Sequence, residues 1–168
     1  RVWHYQFIHH DIWDWDLPAA PILVDIEVDG RPIKAVAQIT KQAWVYVFDR
    51  ETGEPVWPIE ELPVPQSDVS VEKTSPTQPH PTKPAPFDRQ GFSESDLIDF
   101  TPELRAQALE LVQNYRMGPI FTPPSLVGGP DGTRGTLMLP NAMGGGNWEG
   151  GAVDPETGML YVGSYTTP

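Results

Sequence analysis

Asp49-Arg50-Glu51-Thr52-Gly53, continued by Glu54-Pro55-Val56-Trp57, closes the apolar run Trp44 to Phe48. The pattern returns as Asp154-Pro155-Glu156-Thr157-Gly158, just before Leu160-Tyr161-Val162. Both copies read D-x-E-T-G between apolar strand residues. Such an aspartate caps a turn through its own side chain, and the glycine supplies the positive φ that the turn needs. One hairpin design used twice in a chain of short strands predicts repeated blades. The two copies stand further apart than one blade of ~45 residues. A Pro-rich loop and a helix between them account for the excess.

Outward from the first copy, Ile22 to Val28 reads as a strand, Asp29-Gly30 as a hairpin turn, and Ile33 to Ile39 as the partner strand. Trp44 to Phe48 is a third strand, and Pro55 to Trp57 begins a return. Residues 1–8 alternate aromatic and polar side chains, which predicts another strand; residues 9–20 form a charged, Trp-rich turn ending at Pro18. Ala152 to Tyr165 reads as a closing hairpin. The expected class is all-β: a meander of short antiparallel strands, as in one propeller blade or part of a barrel.

The stretch 58–92 changes character, with seven prolines from Pro63 to Pro86. It reads as a flexible linker by composition, or as a long extended loop pinned to a scaffold by Phe87 and Phe92. Residues 102–116 predict the one helix. Thr101 suits the N-cap and Pro102 the first helical position. Leu104, Ala108, Leu111, Val112 and Tyr115 form a stripe expected to pack, with Gly118 as the C-terminal cap. The glycine run 144–146, with Gly150 and Gly151, is followed by no predicted helix, which argues against a phosphate-binding loop.

Composition narrows the function. With 11 basic and 23 acidic residues among 168, the net charge is −12, which argues against a nucleic-acid binder. Six Trp, five Tyr and six Phe argue against disorder, and 20 Pro with 15 Gly fit a turn-rich β protein. The absence of cysteine removes disulfides, zinc thiolates and a cysteine nucleophile, and sits easily with an oxidising compartment. No apolar run approaches the ~20 residues of a membrane-spanning helix.

The extended pattern Asp49-x-x-Thr52-Gly53-x-x-x-Trp57 resembles the tryptophan-docking motif of the quinoprotein dehydrogenases, enzymes built on an eight-bladed propeller around pyrroloquinoline quinone (PQQ). Trp3-His4-Tyr5-Gln6 and His9-His10-Asp11-Ile12-Trp13-Asp14 are similar to the segment that carries the catalytic aspartate of that family. Pro63-Val64-Pro65-Gln66, Pro76-Thr77-Gln78-Pro79 and Phe121-Thr122-Pro123-Pro124-Ser125 are similar to its membrane-bound glucose dehydrogenase branch. Asn147-Trp148, ahead of Gly151-Ala152-Val153-Asp154-Pro155, resembles a cofactor-facing segment. The second turn copy departs from the motif, with Val162 where a docking Trp would stand.

The resemblance implies a partial β-propeller, with residues 1–168 a piece of a single propeller domain and 58–125 an insertion carrying the helix 102–116. Blades of ~45 residues would give this chain about three or four of the eight. It also implies oxidation of an alcohol or sugar hydroxyl, with Asp14 as the general base and as a ligand of a bound calcium. Lys41 would hydrogen-bond the quinone oxygens, and Asn147 and Trp148 would contact the cofactor. Ubiquinone is the implied acceptor, at the periplasmic side of the inner membrane, with the membrane anchor in an N-terminal part outside these residues. Such a piece is expected to be inactive alone. The insertion is the expected local source of substrate specificity.

Plainer readings stand beside these. Asp14 could cap a turn, Lys41 could be a solvated strand-end lysine, Asn147 an ordinary turn residue, and Trp148 a packing residue. His9 and His10 beside Asp11 and Asp14 invite a hydrolytic metal site, but adjacent strand residues point to opposite faces and no third histidine has useful spacing. A propeller serving only as an assembly scaffold is the non-enzymatic alternative. It would need the docking Trp and turn glycines but neither Asp14 nor Lys41.

Overall fold

The computed structural model describes residues 2–129 and 132–168. Its centre is an antiparallel sheet of β1 (Ile22–Val28), β2 (Arg31–Ile39) and β3 (Val45–Asp49), in that spatial order. Asp29 and Gly30 both take positive φ, 51° and 73°, as a two-residue hairpin with the twist of its strands requires. The turn after β3 forms as its sequence predicts. Asp49 Oδ1 accepts the amides of Glu51 at 2.8 Å and Thr52 at 3.1 Å. Gly53 sits at φ 82°, and the indole of Trp3 lies directly against it; a Cβ there would fall 2.6 Å from Trp3 Cγ. Beyond the turn, Pro55 bridges to Phe48, beginning a return.

Strand periodicity gives this sheet two buried faces. Val36, Tyr46 and Phe48 face one way, into a cluster with Ile8, Trp13, Trp15, Trp44 and Phe121. Ala37, Ile39 and Val45 face the other, against Ile22, Val24, Phe87, Leu160 and Val162. The second layer comes from the closing hairpin, β6 (Gly151–Val153) and β7 (Leu160–Val162), whose turn repeats the first. There Asp154 accepts the Glu156 amide at 2.9 Å and the Thr157 hydroxyl at 2.8 Å. A sheet covered on both sides is the arrangement of a stacked blade.

Four expectations need correction. Residues 2–8 form no strand. Trp3, Tyr5 and Phe7 still alternate inward, and their rings pack on Phe48 and Tyr46 at 4.9–5.9 Å, so side chains rather than ladder bonds anchor the segment. The Pro-rich stretch holds a hairpin, β4 (Ile59–Pro63) with β5 (Thr77–Pro81). Proline is tolerated there because a two-stranded sheet has only edge strands. The helix α1 runs Pro102–Val112, capped by Thr101 Oγ1 on the Leu104 amide, but its stripe does not pack: only Ala108 is buried, and Leu111 is largely exposed. Gly118 does not cap it; its carbonyl accepts the Phe92 amide instead. Phe87 does pin the loop, through its ring and through its amide on the Ala43 carbonyl at 2.9 Å.

Candidate functional site

The segment Asp11 to Asp16 is ordered from both sides. The Asp11 carboxylate accepts the amide of Trp13 at 2.9 Å through Oδ1 and that of Trp15 at 2.7 Å through Oδ2. The indoles of Trp13 and Trp15 stack at 5.5 Å and 16° and are almost fully buried. Their ring N–H groups donate to the carbonyls of Thr122 at 2.9 Å and Asn141 at 3.0 Å. Asp14, between two inward tryptophans, is turned outward at φ 64°, and its carboxylate is 80% exposed.

Lys41 meets that carboxylate from the turn between β2 and β3. Thr40 and Trp44 close the turn, with the Thr40 amide donating to the Trp44 carbonyl at 3.0 Å, and Ala43 takes positive φ. The Lys41 side chain is only 8% exposed. Its Nζ donates to the Asp14 carbonyl at 2.7 Å and to Asp16 Oδ1 at 2.5 Å, and stands 3.6 Å from Asp14 Oδ2. An ammonium has three N–H groups, so two bonds leave one for another acceptor. A solvated lysine would not be buried in this way, so the strand-end reading of Lys41 is set aside. Next to it, Gln42 is fully buried, and neither its Nε2 nor its Oε1 has a partner among the described residues.

The glycine run packs against this same turn. Gly145 donates to the Lys41 carbonyl at 2.9 Å. Gly144, at φ 82°, presses on the lysine itself: a Cβ there would lie 2.4 Å from both Lys41 Cβ and Cγ. This contact brings the turn that carries Asn147 and Trp148 to the Lys41 turn. Asn147 donates to the Met143 carbonyl at 2.7 Å and accepts the Trp148 amide at 2.8 Å, so it also shapes its own turn. Trp148 is 80% exposed, and the packing alternative finds no support in this chain. The tail behind the turn is held by Asp88, which accepts the hydroxyls of Ser164 and Thr166, while Tyr165 donates its amide to the Gly145 carbonyl at 3.1 Å. Burial alone would raise the Asp88 pKa, but these two hydroxyls bring it below the usual carboxylate range.

The structure thus gathers Asp14, Lys41 and the Asn147–Trp148 turn at one end of the sheet. The sequence reading missed Asp16, which holds Lys41, and weighed Asp11 only as a metal ligand, not as the residue that holds the Asp14 turn. The spacing D-x-W-D-W-D was visible, but the partner of Asp16 lies 25 positions away. His9 does other work. His9 Nε2 meets Glu61 Oε1 at 3.0 Å, and the buried Gln78 side chain bonds both the amide and the carbonyl of His9. Glu61 would be raised by burial, yet the His9 and Thr77 hydrogen bonds hold it below its ordinary value. No group of three or more His, Asp or Glu able to hold a metal occurs among the described residues. No helix of the described residues is long and apolar enough to cross a membrane.

Comparison with known proteins identifies the family. The quinoprotein glucose dehydrogenase of Escherichia coli K12 is 36% identical over 173 residues, covering 99% of this chain and 20% of that protein. The quinate/shikimate dehydrogenase (quinone) of Acinetobacter baylyi is 34% identical, with 95% of this chain and 19% of that protein covered. The glycerol dehydrogenase large subunit of Gluconobacter oxydans is 31% identical, with 99% and 22% covered. The chain therefore spans about a fifth of the length of these relatives. Among solved structures, a quinohemoprotein alcohol dehydrogenase from Pseudomonas putida HK5 superposes with a TM-score of 0.51 at 22% identity, over 99% of this chain and 18% of that one, a likeness of fold. The family description matching residues 1–168 is the PQQ β-propeller domain of glucose, ethanol and alcohol dehydrogenases. The chain, mostly β with one α-helix among its described residues, is a partial propeller, and it belongs to the PQQ-dependent dehydrogenase β-propeller family.

Proposed function

We propose that this chain carries the catalytic side of a PQQ-dependent dehydrogenase that oxidises an alcohol or sugar hydroxyl. The observation that carries the reading is the buried Lys41, held with one N–H to spare beside the outward carboxylate of Asp14. PQQ, when bound, supplies a two-electron acceptor. The residues present suit it. The free N–H of Lys41 is a charge-assisted donor for a quinone oxygen, and its positive charge favours electron density arriving there. Asp14 accepts the substrate hydroxyl proton at its carboxylate as the carbon is oxidised. Asn147 and exposed Trp148 would lie on the turn facing bound PQQ, where the indole would offer a flat apolar surface to a planar ring system.

Calcium fits less completely. The ion takes about six to eight oxygen ligands, and Asp14 offers at most two, with no further cluster among the described residues. We assign Asp14 as one calcium ligand, the others lying outside this chain, and route no step through the ion. Ubiquinone as acceptor, and a place at the periplasmic face of the inner membrane, follow the resemblance to the membrane-bound glucose dehydrogenase branch. Two similar proteins named as quinone-linked quinate dehydrogenases support that acceptor class.

The test is titration of the cofactor-free full-length protein with PQQ, with and without calcium, by quenching of tryptophan fluorescence. The reading expects saturable binding of one quinone, weakened roughly tenfold or more in Lys41→Ala through loss of a charge-assisted hydrogen bond. Absence of binding by the full-length protein would leave the assembly-scaffold alternative in its place.

A further inference from the structure

We infer that Asp11 is a positioning residue for Asp14, acting through the backbone on either side of it. The inference rests on the proposed role of Asp14 as the base. Asp11 is exposed and forms no salt bridge among the described residues, so ion pairing does not explain it. Its two carboxylate oxygens are instead spent on two amides, those of Trp13 and Trp15, which bracket Asp14. Asp14 itself occupies left-handed backbone at φ 64°, a conformation that costs an L-residue energy and persists only where the surroundings impose it. Three constraints impose it here. The amide of each neighbouring tryptophan is tied to Asp11, both indoles are locked by stacking and by their carbonyl acceptors, and the Asp14 carbonyl is tied to Lys41 Nζ at 2.7 Å. The rings fix where residues 13 and 15 go. Asp11 fixes how the chain turns between them, and so where the Asp14 carboxylate stands relative to Lys41. A base must be held within hydrogen-bond reach of the proton it takes, and displacement by about 1 Å costs on the order of a hundredfold in rate.

The carboxylate is needed, not merely its shape. An asparagine keeps one acceptor but turns an N–H₂ donor towards the second amide, so one of the two bonds is lost. The test compares Asp11→Asn, Asp11→Ala and Asp14→Asn in the full-length protein, with three readouts. These are PQQ stoichiometry and affinity, hydrogen exchange of the peptide spanning residues 11–16, and kcat against KM. The inference expects Asp11→Asn to bind one PQQ with affinity unchanged within about twofold. Exchange at Trp13 and Trp15 should rise at least tenfold, and kcat should fall by about ten- to a hundredfold with KM little moved. A merely structural role would lower the bound-PQQ stoichiometry and the activity in step, leaving kcat per bound PQQ at the wild-type value, and that result overturns the inference. Should Asp11→Ala fail to fold, Asp11→Asn and its exchange rates still decide. If Asp14→Asn abolishes turnover while Asp11→Asn matches wild type in exchange and kcat, the positioning role is wrong and the base assignment stands. If Asp14→Asn turns over normally, the base assignment falls, and the positioning role falls with it.

Discussion

Gly144→Ala is a local perturbation aimed at the contact that assembles the site. Gly144 sits at φ 82°, where an L-residue costs about 1–2 kcal/mol. The added Cβ would also stand 2.4 Å from Lys41 Cβ and Cγ and 2.6 Å from Lys41 Cα. Carbon atoms rest at about 3.5–4.0 Å, so the Asn147–Trp148 turn must lift off Lys41 by about 1 Å. Overpacking of that kind costs about 1–3 kcal/mol, for a total of about 2–5 kcal/mol. Gly158→Ala is the matched control: φ is 70°, and nothing lies within 4 Å of the added atom, so only the backbone cost applies. Urea unfolding of the full-length proteins should therefore find Gly144→Ala less stable than Gly158→Ala by about 1–3 kcal/mol. PQQ affinity should fall only in the former. Equal stabilities and equal affinities for the two variants would refute the argument that the glycine run is shaped by Lys41.

Two further outcomes follow from the buried and titrating groups. Replacing Gln42 by Met removes two buried polar atoms without partners, and should raise stability by about 1–3 kcal/mol in the same assay; a loss of stability would mean that the amide is satisfied by a group outside the described residues. Asp88 and Glu61 both have folded pKa values below their ordinary ones. Their contribution is complete above the unfolded values of about 4 and is lost as pH falls through the depressed folded values. Melting temperature measured from pH 6 down to pH 3 should fall with acidity, and less steeply in Asp88→Asn; identical slopes would remove Asp88 from the account.

Much of the scaffold was legible because its determinants are local. Period-two burial in β1, the positive-φ pair Asp29-Gly30, and the two D-x-x-T-G turns each depend on a few adjacent residues. The failures share a different cause. β4 and β5 contain three prolines, and composition cannot tell an edge hairpin from a linker when the pairing partner lies 14 to 22 positions away. The expected stripe of α1 ran too far, since the helix stops at Val112 and leaves Tyr115 beyond it, and periodicity does not say what covers the rest. In the site, Asp14 and Lys41 were found by resemblance. Asp16 escaped notice, and Asp11 was weighed only as a metal ligand, because a carboxylate in a turn looks alike in sequence whether it caps amides, pairs with a buried lysine or faces solvent. Only the fold distinguishes Asp16, on Lys41, from Asp25, on Arg50.

The central claim, that Asp14 is the base beside a Lys41-bound quinone, is tested most directly by turnover of Asp14→Asn at saturating PQQ in the full-length protein. The account predicts PQQ bound at wild-type stoichiometry and kcat reduced by about 10²–10⁴. Wild-type turnover with PQQ bound would contradict it.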